Sequence, residues 1–249
     1  MARSKGILKI EGTLQDMTFY NTSDGNLVKT KSSVTKQRIS TDPAFARTRE
    51  NGVEFGQAAK SGKLLRITLR NLMLNTADKR VVSRVTQVMA QIKNMDTVSE
   101  RGKRTVGTGI ANPAGLALLK DFNFNKQAIL SSVLFAPYRI DAASGSISID
   151  NFIPQNAVSY PAGTTHVSLQ SALAVINFAS LDNEIDYSPV EVLAVNNIAT
   201  NVLLKPASVP SINGSKLYIL HLSFFQQING VQYPLKTGNY NVLSIVEVG

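Results

Sequence analysis

Partway along the chain the spacing of its apolar residues changes, and no single type of structural layer accommodates both spacings. Between Asp78 and Met95 the residues Val81, Val82, Val85, Val88, Met89, Ile92 and Met95 recur at intervals of three and four, which places them on one side of a helix. From about residue 128 the period becomes two, β-branched residues dominate and turn signals come at short intervals, the pattern of short strands. The expectation is an α+β chain. A basic domain over residues 1–127 would hold a β-hairpin and a helical hairpin, and an immunoglobulin-like antiparallel β-sandwich would occupy residues 128–249.

Within the first part, Met17-Thr-Phe-Tyr20 and Leu27-Val-Lys-Thr-Lys31 alternate around a turn at Asn21 to Asn26, and Gly6 to Gly12 reads as a further strand. Such a piece is marginal alone and needs something to pack on. Ser40, Thr41 and Asp42 offer caps ahead of Pro43, a start for a helix whose apolar stripe takes in Phe45, Val53, Leu65, Leu69, Leu72 and Met73. Phe55 is also expected in the core, and Ser61-Gly62 marks a kink. Asn112-Pro113 opens a short helix by the same capping logic.

Strands are expected at 132–140, 146–152, 165–169, 173–178, 190–195, 201–204, 216–226 and 240–248, with Asn229-Gly230 as the strongest hairpin signal.

No constellation commits the chain to a chemistry, so it reads as a non-enzyme with no catalytic, cofactor or metal site. There is no cysteine, which excludes disulfides and thiol catalysis. His166 and His221 lie in expected strands with no triad or ligand cluster around them. Gly107-Thr-Gly109 lacks the further residues of a nucleotide loop and reads as a connection between helices.

Charge is more informative. Of the 26 Lys and Arg, 20 lie in residues 1–105 with 9 of the 17 acids, while the rest of the chain carries 6 against 8. This polarity suits attraction to an acidic partner, whether nucleic acid, a protein surface or another copy. The candidate basic contact surface is Lys60, Lys63, Arg66, Arg70, Arg101, Lys103 and Arg104. Asp182, Glu184 and Asp186, in an expected loop, form the candidate acidic one.

The apolar runs are about half of the roughly 20 residues that a membrane helix needs, and the basic N-terminus is not followed by the apolar stretch of a signal peptide. A cytoplasmic location, or a place in a particle released by lysis, is therefore expected.

The segments Gly6-Ile-Leu-Lys-Ile-Glu-Gly12, Phe19-Tyr20 before Asp24-Gly-Asn-Leu-Val28, Thr41 to Gly52 and Glu54-Phe-Gly56 together resemble an uncharacterised family of small basic Bacteroidota proteins. The resemblance covers about the first half of the chain. It implies a bacterial host and brings no activity or site.

Two function classes follow. One is a structural subunit that joins copies of itself or a larger particle, such as a filament, a phage-like assembly or a surface scaffold. The other is a nucleic-acid-associated protein gripping phosphates through its basic helical part, where Arg80 and Arg84 join the basic contact residues along a groove. An adhesive module is a third, and it would need an export route.

Overall fold

A computed structural model describes residues 2–3, 10–22, 25–30, 34–74, 76, 78–235 and 239–249 of the chain. It divides into two compact units, Met1–Glu50 and Asn51–Gly249.

The first unit holds the strands β1 (Ala2–Arg3), β2 (Gly12–Leu14), β3 (Met17–Thr22) and β4 (Gly25–Thr30) in an antiparallel sheet of order β1-β4-β3-β2. The expected hairpin is present, Thr22 pairing with Gly25 at its end. The strand expected from Gly6 falls largely outside the described residues, and the described part of that segment becomes β2.

A short helix α1 (Lys36–Thr41) follows, so Ser40 and Thr41 close one helix rather than cap the next. Asp42 is the cap: its carboxylate accepts from the Ala44 amide at 2.9 Å, starting a 3₁₀ turn at Pro43–Phe45 that runs into α2 (Ala46–Thr68).

In the second unit α2 continues and is followed by α3 (Arg70–Met73) and α4 (Val81–Asn94). Ala58, Ser61, Gly62, Leu65, Leu69 and Leu72 are buried at helical spacing. Where a kink was expected, at Ser61-Gly62, the helix runs on without interruption, and Gly62 is where α4 comes close. A β-carbon there would lie 3.2 Å from Val85 Cγ1. Lys93 meets Glu54 while Val85 meets Gly62, so α2 and α4 run antiparallel, as expected. Val53 and Phe55 are not in the core: they flank the buried stripe and are 56% and 62% exposed.

Two short helices come next, α5 (Val106–Ile110) and α6 (Pro113–Ala117), the latter capped by Asn112, whose Oδ1 accepts from the Ala114 amide at 3.0 Å. The segment around Gly107 and Gly109 is thus a helix, not a loose connection. A β-carbon on Gly109 would sit 2.1 Å from the Ile92 carbonyl oxygen, so this residue lets α5 pack on the end of α4.

Helix α7 (Leu130–Val133) stands where a strand was expected from 132, leaving only β5 (Arg139–Asp141) of that strand. Beyond it come β6 (Ser146–Phe152), α8 (Pro154–Ala157), β7 (His166–Asn177), β8 (Asp182–Tyr187), β9 (Glu191–Ala194), β10 (Thr200–Leu204), β11 (Ser215–Ile228), β12 (Val231–Pro234) and β13 (Val242–Val248). The two strands expected over 165–178 are one strand, β7. The acidic segment expected as a loop is strand β8. Asn229 and Gly230 make the tight turn between β11 and β12 with φ of 52° and 80°, backbone that favours these two residue types.

Strands β5, β6 and β10 form a three-stranded sheet, and the others form a six-stranded antiparallel sheet centred on β7 and β11. Successive residues of β11 alternate between two cores. Leu217 and Ile219 join Ala174, Ile176, Leu243 and Ile245 against the helices, where they meet Leu65, Met89 and Ile92. Tyr218, Leu220, Leu222 and Phe224 point the other way, toward Ile147, Ile149, Val202 and Leu204 of the smaller sheet. The chain is therefore a mixed helix and sheet protein with antiparallel sheets. The boundary expected at 127/128 lies inside this second unit, where helices and strands share a core.

Candidate functional site

The first unit joins a four-stranded sheet to α1 and the start of α2. Among residues 10–50 that the structure describes, none is buried. Leu14 faces Met17 across the β2–β3 pair and Phe19 faces Val28 across β3–β4. Directly paired residues share a face in an antiparallel sheet, and residues two apart do so along a strand. Leu14, Met17, Phe19 and Val28 thus form one apolar face, with Leu14 and Met17 60% and 47% exposed.

A second exposed apolar feature is the end of the β11–β12 hairpin in the body, where Ile228, Val231 and Tyr233 are each about half exposed. Two edges of the large sheet are covered. Residues 121–124 bond along β13, through Asp121 N to Ile245 O and Phe124 N to Leu243 O, both 2.8 Å. The loop after Lys205 lies along β8, held by the Ala207 amide on the Tyr187 carbonyl.

The candidate acidic residues Asp182, Glu184 and Asp186 are alternate positions of β8 and share one of its faces. Glu184 accepts from the Ser211 amide at 2.9 Å, and Asp186 accepts from the amide of Ser208. Hydrogen bonding to Ser208 holds the Asp186 carboxyl below its ordinary range against the opposing effect of burial. Two of the three carboxylates therefore fasten a loop.

The candidate basic residues are spread along the helical layer. Lys60, Lys63 and Arg70 are exposed, and Arg66 turns its Nε back to the Gly62 carbonyl at 3.2 Å. Arg66 and Arg70 border a shallow cleft of about 360 Å³ with Ile67, Leu74 and Val82. Arg101, Lys103 and Arg104 lie by the opposite end of the exposed run. The Gly102 amide donates to Glu54 at 2.7 Å, and Lys103 pairs with Glu100 at 2.8 Å. Along the helix the rise from Glu54 is about 9 Å to Lys60 and about 24 Å to Arg70, so the candidate residues are strung along the layer and not gathered at one point.

The histidines do not meet. His166 pairs with Phe225 and His221 with Gln170, four strand positions or about 13 Å apart. His166 bonds Thr165 at 2.9 Å, whereas His221 is buried and its Nε2 has no hydrogen-bond partner.

A cluster that sequence reasoning saw only in part lies at the start of α4. Asp78, Lys79, Arg80, Ser83, Arg84 and Gln87 face Lys126 and Gln127 across a cleft of about 580 Å³. Asp78 is the tie across it, accepting from Arg84 Nη1 at 2.6 Å, from the Arg80 amide at 2.7 Å and from the Lys126 amide at 3.3 Å. Burial favours the protonated form of Asp78, but these three donors prevail and lower its pKa. Arg84 also donates to the Asn123 carbonyl at 2.6 Å and lies 5.0 Å from the centre of the Phe122 ring. The sequence marked Asp78 as a helix opener and Arg80 and Arg84 among the cations able to meet phosphates, but Lys126 stands 46 positions from Arg80 and only the fold brings them together.

Comparison with protein-family models, with curated proteins and with solved structures finds no match for this chain. No helix among the described residues is long and apolar enough to cross a membrane.

Proposed function

We propose that the chain is a non-enzymatic structural subunit that associates with copies of itself. The observation that carries this reading is the apolar face of Leu14, Met17, Phe19 and Val28, on a sheet in which no described residue is buried. Small isolated sheets are marginal in water, and covering such a face is what stabilises them. Another copy of the chain is the occupant that charge favours. Residues 1–50 carry nine Lys and Arg against five acids, and residues 106–249 carry six against eight. The half-exposed hairpin end at Ile228, Val231 and Tyr233 offers apolar surface within that acidic part.

In the same reading the two facing sheets serve as an immunoglobulin-like module. The apolar cluster between them supports this. The helical layer on the second face of the large sheet departs from modules of that kind.

Light scattering after size exclusion tests the proposal. The wild-type protein is expected to show more than the mass of one chain, rising with concentration, and Leu14→Ser with Met17→Ser is expected to return it to one chain. A strictly monomeric wild-type particle at high concentration overturns the reading.

The exposed run of Lys60, Lys63 and Arg70 favours a second reading, nucleic-acid association through phosphates. Charge reversal at Lys63, Arg66 and Arg70 would then flatten the salt dependence of binding. Unchanged retention of DNA and RNA would remove that reading.

A further inference from the structure

The geometry points to the cleft between the start of α4 and residues 126–127 as a binding site for phosphate groups. Four cations border it, Lys79, Arg80, Arg84 and Lys126, against one carboxylate, Asp78. That carboxylate is already neutralised by Arg84 at 2.6 Å, and Lys79 and Lys126 add two further positive charges at the same concavity. Neither Lys79 nor Lys126 takes part in an ion pair among the described residues.

A single carboxylate would offset only one of these charges. Phosphate groups match them better, because a di- or triphosphate brings several charges and many acceptor oxygens to the same place. Arg80, Ser83, Arg84 and Gln87 recur at the three- and four-residue spacing of one helix side, so hydroxyl and amide donors stand beside the cations. The volume of about 580 Å³ is within the range of small-ligand sites, roughly 300–1,000 Å³.

The walls are also fixed in advance. Asp78 binds both sides of the cleft, through the amides of Arg80 and Lys126, and Arg84 is locked between the Asn123 carbonyl and the Phe122 ring. A ligand would meet charges whose framework needs little ordering, which favours binding. This site is independent of the apolar face of the N-terminal sheet and of the lysines on α2.

The test is calorimetric titration of the full chain with sodium tripolyphosphate at constant ionic strength. Saturable binding to one site is expected, weakened by about tenfold or more in Lys79→Gln with Lys126→Gln, since charge-assisted contacts are the strong ones. Both lysines are exposed, so the double variant should keep the wild-type unfolding temperature. Lys60→Gln with Lys63→Gln, outside the cleft, should bind as the wild type does.

Absence of saturable binding, unchanged affinity in the cleft variant, or equal weakening in the two variants would each overturn the assignment. A twelve-residue oligothymidylate then separates the sources of phosphate. Competition with tripolyphosphate, lost in the cleft variant, would identify nucleic-acid backbone; failure to compete would identify a small phosphorylated molecule.

Discussion

Lys93 Nζ reaches Glu54 Oε2 at 2.5 Å, and the same carboxylate receives the Gly102 amide on its other oxygen at 2.7 Å. One side chain of α2 thus fastens α4 and the turn beyond it. The hydrogen bond from Lys93, helped by that amide and by the charge of Arg104, keeps the Glu54 carboxyl below its ordinary range despite burial. Removing one member of a buried pair leaves a charge without compensation. Lys93→Met is expected to cost about 3 kcal/mol, the lower end for such pairs because Gly102 stays bonded. Urea denaturation would measure it, and a loss under about 0.5 kcal/mol would mean the pair contributes no more than a surface one.

His221 should make stability depend on pH in the mildly acidic range. Burial lowers its pKa from 6.5 to about 4, so between these values the unfolded chain holds a proton that the folded chain does not. Its contribution is complete above pH 6.5 and is lost as the pH falls toward 4, roughly 3 kcal/mol in all. His221→Leu is expected to remove this slope. Equal slopes in the two proteins would contradict the assignment.

Asp96 should act further down the scale. Burial would raise its pKa, but the amides of Ser99, Thr105 and Val98 and the Ser99 hydroxyl outweigh it and bring the value from 3.8 to about 2. The folded state then gains about 2 kcal/mol above pH 3.8, lost as the pH falls through 2. Asp96→Asn turns an amide toward one of these donors. The variant should be weaker than the wild type at neutral pH, and the gap should close near pH 2.

Two glycine substitutions should act in opposite directions. Gly109→Ala would drive a β-carbon to 2.1 Å from the Ile92 carbonyl, and a shift of α5 costing about 3 kcal/mol is expected. Gly52→Ala meets nothing within 4 Å on a helical backbone, so a gain of about 0.5–1 kcal/mol is expected. Thermal unfolding of both would check the signs.

The helices and most strands were legible because their apolar residues keep a period that one buried face imposes. Three departures have physical causes. Leu217 to Phe224 is buried on both faces, so its pattern gives a strand and not which core each residue joins. Asp182 to Tyr187 reads as a loop from its charge, yet Ile185 and Tyr187 turn to the helical core while the acids bind loop amides. Phe55 suggested core and is exposed, since it stands at the margin of the buried stripe of α2 and beside the end of α4, where Lys93 meets Glu54. The cleft at the start of α4 was legible only in part: Arg80 and Arg84 belong to the basic helical part, but Lys126 comes from a distant segment and no local pattern announces their meeting.

The covering of β13 by residues 121–124 bears on how the chain reaches its fold. Ile245 exchanges two backbone bonds with Asp121 and Phe122 on one side and pairs with Ile219 on the other. Its two neighbours come from segments about a hundred residues apart, so local helix formation cannot assemble this part of the molecule. Contacts of such long sequence separation slow folding. Local contacts suffice to form the helices, but the core they share with Leu243 and Ile245 closes only with this strand seated between its neighbours.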